Sequence, residues 1–110
     1  MDSALYTMNY SGQTGRGGGF FYFGNGKIVG IDAGNFRYHG SYVEQGDRLK
    51  GRLGLTAPTP GELVTGIQLS AGTRLDLVID WDANFSDGKL QLLTIKGQPV
   101  HVVFEKVGNI

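Results

Sequence analysis

The chain is predicted to be all-β, a small antiparallel up-and-down β-barrel of about eight strands. Three observations carry this: hydrophobic alternation at period two in nearly every segment, turn residues between those segments, and no window of ten residues with helical periodicity. Eight or nine short strands in 110 residues favour closure, because a closed sheet has no exposed edge. A two-sheet sandwich is the alternative. The length suits one core, so a single domain over residues 1–110 is expected.

The elements follow in order. A first strand is expected over Leu5–Tyr10 and a second over Phe20–Phe23, entered through the run "RGGGFFYFG". Asn25-Gly26 then joins "FFYF" to Lys27–Ala33, because both residues tolerate positive φ. Phe36–Glu44 comes next, followed by "RLKGRLGLT", in which Leu49, Leu53 and Leu55 oppose Arg48, Lys50, Arg52 and Thr56. "TAPTPGE" is an irregular connection, since Pro58 and Pro60 exclude ladder pairing. Leu63–Leu69 reads as a further strand, and "TRLDLVIDW" sets Leu75, Leu77, Ile79 and Trp81 against a polar face. Leu90–Ile95 and Val100–Lys106 complete the series. Glycines inside strands, such as Gly30, Gly40 and Gly51, suit the sharp curvature of a small barrel.

Ten basic and ten acidic residues cancel, which removes the global attraction that favours nucleic acid or acidic membranes. The absence of cysteine excludes disulfides and thiolate zinc sites. "MDSALYTMNY" has no apolar h-region and no segment approaches a membrane span, so a cytoplasmic protein is expected.

Most chemical motifs fail on inspection. In "RGGGFFYFG", Gly18 stands where an RNA-recognition signature needs a stacking aromatic, and Phe20 where a dinucleotide fingerprint needs glycine. The plainer reading is that Gly17–Gly19 let the chain curve and lie close to neighbouring backbone. An oligonucleotide-binding barrel, which stacks bases on strand aromatics, draws support from the stripe Arg48, Lys50 and Arg52 but is opposed by the zero net charge. "DWDANFSDG" opens like a calcium loop with Asp80, Asp82 and Asn84, but Phe85 replaces the turn glycine and Gln91 the bidentate glutamate. His39 and His101 lack metal-ligand spacing, and Ser41 lacks a nucleophile-elbow context. No catalytic residue, metal site or cofactor is therefore expected, and the chain is not read as an enzyme.

Two features exceed a minimal core. "FFYF", "LQLLTI" and "VHVVF" carry apolar residues on both faces, and only one face can enter a barrel. A homodimer interface is expected at Phe20, Tyr22, Leu93, Ile95 and Val103, covered by a symmetric partner. The inward candidates are Tyr6, Met8, Tyr10, Ile28, Phe36, Tyr38 and Tyr42. Of these, Tyr6, Met8, Tyr38 and Tyr42 are assigned to a ligand cavity, in a barrel either filled or hollow.

"ALYTMNYSGQTGRGGGFFYF" and "NGKIVGIDAGNFRYHGSYVEQGDRLKG" resemble the GrlR-like family of negative regulators of type III secretion. The pattern is a first strand with Tyr6, a Gly-rich strand ending in Asn25-Gly26, then Gly30-x-Asp32 and Tyr38-x-Gly40. The resemblance implies a lipocalin-like, dimeric, non-catalytic barrel that binds a regulatory protein. The family's acidic contact stretch falls on Glu44, Gln45, Gly46 and Asp47, which makes Glu44 and Asp47 the expected partner-binding residues.

Overall fold

The computed structural model describes residues 2–110. Its strands are β1 (Ala4–Gly12), β2 (Gly15–Gly24), β3 (Lys27–Asp32), β4 (Arg37–Gln45), β5 (Arg48–Thr56), β6 (Gly61–Glu62), β7 (Gln68–Leu69), β8 (Arg74–Asp82), β9 (Asp87–Ile95) and β10 (Gln98–Asn109). Eight of them form one antiparallel sheet in the order β8-β5-β4-β3-β2-β1-β10-β9. Long strands consecutive in sequence pair with each other except β8 and β9, and β10 returns to pair with β1, so the sheet curls into an up-and-down barrel. The sandwich alternative is set aside by this single continuous sheet. Among the described residues no helix is long and apolar enough to cross a membrane.

Closure is nearly complete. β8 and β9 are the two ends of the hydrogen-bonded order, and between them lies a seam. The indole of Trp81 on β8 spans it, donating from Nε1 to the Leu92 carbonyl of β9 at 2.9 Å.

Turn chemistry explains the tight ends. Asn25 and Gly26 adopt φ of 52° and 75°, the doubly positive pair that matches the twist of a two-residue hairpin. The glycine run lies within β2, which begins at Gly15 and not at Phe20. A Cβ on Gly19 would collide with the Ile31 carbonyl and approach Asp32 Cα to 2.8 Å, so close backbone approach requires glycine there. Gly17 leaves room for the Tyr10 ring. Leu63–Leu69 is not one strand. The chain reverses at Gly66 (φ 87°), with Leu63 N–H donating to the Ile67 carbonyl at 2.9 Å; only its last two residues are strand, β7, paired with β6 just before the segment.

Alternation places the core. Phe21 and Phe23 point inward and Phe20 and Tyr22 outward, which fixes the two-faced aromatic strand. The inward choice has a steric reason: Phe21 lies opposite Gly30, and a Cβ on Gly30 would meet its ring at 2.7 Å. On β9 the inward set is Gln91, Leu93 and Ile95, leaving Leu90 and Leu92 outside. The expected interface positions Leu93 and Ile95 are thus 4% and 5% exposed and belong to the core, corrected by the register of β9 against β10.

Candidate functional site: a capped cavity and an exposed apolar wall

One half of the interior is filled by rings. Tyr6, Phe23, Phe85, Trp81 and Phe104 meet at centroid separations of 4.8–5.8 Å, several of them edge to face. Such pairs add to the area they bury. Phe85, the residue that spoils the calcium-loop pattern, is 1% exposed and plugs this end from the β8–β9 turn. Its neighbours Asp80 and Asp82 take Arg48 at 3.0 and 2.8 Å. Arg48 therefore belongs to an ion-pair cluster with β8 and is no part of an open basic track. Among the described residues no group of three or more His, Asp or Glu is placed to hold a metal ion.

The other half holds a cavity of about 70 Å³. Its walls are apolar, from Met8, Leu55, Leu77, Leu93, Val100 and Val102 among others. The strap between β5 and β8 caps it through Leu63 and Val64. That strap is tied to the β1–β2 turn, where the Thr14 N–H and Oγ1 both donate to the Val64 carbonyl at 2.8 Å.

A polar corner interrupts the apolar lining. Asp32, 6% exposed, ends β3 on its inward face. Its Oδ1 accepts from the N–H groups of Gly34 and Phe36 at 2.9 and 3.1 Å, which shapes the turn into β4. Its Oδ2 accepts from the Tyr38 hydroxyl at 2.6 Å. Burial raises the Tyr38 phenol well above its ordinary range, reinforced by the charge of Asp32 and their hydrogen bond. Tyr10 is pushed up to about 12 for the same reasons, burial first and then Asp32. Both phenols stay protonated donors at neutral pH.

The expected cavity residues divide between the two halves. Met8 and Tyr38 line the cavity, whereas Tyr6 and Tyr42 pack in the aromatic half against Phe23. Asp32, Tyr10 and Glu62 complete the lining but were not assigned to it from sequence. A signal for Asp32 exists in "KIVGID", where a carboxylate shares the apolar face of Ile28.

Outside, Phe20 (56% exposed) lies opposite Ile31 and Thr7, and half-buried Tyr22 opposite Val29 and Leu5. This apolar wall borders a groove over Gly18 and Gly19, also lined by Thr7, Asn9 and Ala33. Val103 is half-buried on β10 beside exposed Leu90. Glu44 and Asp47 are exposed at the opposite end from the cavity, on β4 and its turn into β5. His39, Ser41 and His101 are exposed and do not line the cavity. Comparison of the chain with family models, curated proteins and solved structures finds no match.

Proposed function

We propose that this chain is a non-enzymatic, cytoplasmic β-barrel that acts by protein contact, as a regulator of the GrlR-like kind, and that it self-associates as a homodimer. The observation that carries the reading is the apolar wall of Phe20, Tyr22, Val29 and Ile31, contiguous across β2 and β3 with none of the described elements over it. Soluble monomers rarely expose contiguous apolar patches of more than a few hundred Å². A symmetric partner covers such a patch with the same patch. Glu44 and Asp47 lie apart from this wall, so a regulatory protein meeting them does not compete with the dimer.

Sedimentation tests the first step. The native chain is expected to run as a dimer at micromolar concentration and Phe20→Ser as a monomer with unchanged circular dichroism. A native chain that stays monomeric at high micromolar concentration would refute self-association. For the partner contact, Glu44→Lys with Asp47→Lys is expected to abolish capture of the regulatory protein without altering the dimer.

A second reading, a small-ligand barrel, is favoured by the cavity with its polar corner. Its size restricts the ligand to something much smaller than a lipid.

A further inference from the structure

We propose that the capped cavity binds a short aliphatic ammonium ion, its charged end at Asp32 and its carbons between the leucine and valine walls. This rests on the small-ligand reading and adds the sign of charge and the size that the cavity accepts.

Charge selects the class. Among the described residues, the ionisable ones lining the cavity are Asp32, Glu62, Tyr10 and Tyr38, with no lysine, arginine or histidine. Asp32 is buried and the groups that hydrogen-bond its carboxylate are two amides and the phenols of Tyr38 and Tyr10, all neutral. Dipoles of this kind hold a carboxylate in place, but they leave its net charge uncompensated in a medium of low dielectric. An incoming ammonium supplies the missing charge and gains short, charge-assisted hydrogen bonds. The Tyr10 and Tyr38 oxygens offer further lone pairs to its remaining protons. A carboxylate or phosphate ligand would instead meet two like charges, Asp32 within the cavity and Glu62 on the strap. The acceptance rule is therefore opposite to that of a barrel built for fatty acids.

Volume selects the length. A dry cavity of about 150 Å³ takes the six carbons of benzene. At about 70 Å³ this one takes roughly half as many heavy atoms. Propylammonium, with four heavy atoms, lies at the upper end of that range, and longer chains require the strap at Leu63 and Val64 to lift.

The test is a titration of the native protein at neutral pH and constant ionic strength, followed by amide NMR, with propylammonium, 1-propanol and propionate as probes. Saturable shifts at Gly34, Phe36, Val64 and Val102 are expected with propylammonium, at least about tenfold tighter than with propionate. Asp32→Asn keeps an oxygen for the Gly34 and Phe36 amides and removes the charge. It is expected to bring propylammonium down to the affinity of 1-propanol. Propionate or 1-propanol binding as tightly as propylammonium would overturn the charge assignment while leaving a small-ligand barrel intact. Shifts confined to the exposed carboxylates around Asp80 and Asp82 would overturn it as surface pairing only. Absence of binding by all three probes would remove the small-ligand reading as well. Should Asp32→Asn fail to fold, the ranking of the three probes on the native chain decides the question.

Discussion

At the scale of single residues, Asp32 ties a turn to the interior. Replacing it with alanine strands the Gly34 and Phe36 amides and the Tyr38 hydroxyl without their acceptor. A stranded donor costs about 1–3 kcal/mol when buried, as the Phe36 amide and the Tyr38 hydroxyl are, so urea unfolding of Asp32→Ala is expected to show a loss of about 2–6 kcal/mol. Gln91 presents the converse case, since its buried Nε2 has no hydrogen-bond partner among the described residues. Gln91→Leu exchanges that unsatisfied group for apolar volume beside Leu93 and Ile95, and its melting temperature is expected to equal or exceed that of the native chain. The phenols set an alkaline limit. Tyr38 and Tyr10 titrate above the ordinary value of 10.0 in the folded state, Tyr10 near 12. The unfolded chain therefore loses these protons first. Stability is full below pH 10 and falls as pH rises toward and through the folded values. Denaturant midpoints measured on either side of pH 10 should drop, and less so in Tyr38→Phe. Asp32 was hard to single out in sequence because "GID" reads equally well as a strand end with a solvated carboxylate.

At the scale of elements, the seam and the strap are the two places where the barrel departs from a uniform cylinder. Trp81 bridges the seam with an indole hydrogen bond between β8 and β9, beside the ion pair of Asp82 with Lys89 at 4.0 Å. Trp81→Phe keeps an aromatic ring in the cluster but removes that bridge. The expected result is faster amide exchange along β8 and β9, with a loss of about 1–2 kcal/mol. The strap was legible in part. Its prolines announced an irregular connection, but the alternation in "LVTGIQL" suggested a strand. Gly66 reverses the chain there, and the apolar residues bury against the barrel mouth instead of joining the sheet. Alternation reports only that one face is buried. A cap over a barrel end satisfies it as well as a ladder does.

At the scale of the whole molecule, the barrel has an aromatic-filled end and a capped, partly hollow end. This asymmetry separates two kinds of phenylalanine. Phe104, 1% exposed, touches Phe21, Phe23, Trp81 and Phe85, and Phe104→Ala is expected to cost about 3–5 kcal/mol through lost burial and a residual cavity. Phe20, on the outer wall, should change sedimentation and leave the monomer's intrinsic stability nearly untouched when replaced by serine. A pair of variants measured by denaturation and by sedimentation thus reads core and wall independently.

Period-two alternation and turn residues were enough to specify an all-β chain, its hairpins and most inward positions, because pleat parity and turn φ are properties of a few neighbouring residues. "FFYF" and "LQLLTI" lay beyond that reach, since both of their faces are apolar. Long-range contacts settled them: Gly30 opposite Phe21 made room for one face of β2, and pairing with β10 turned Leu93 and Ile95 inward. The cavity likewise depends on residues distant in sequence, with Tyr10, Asp32, Tyr38 and the strap meeting only because the barrel curls shut.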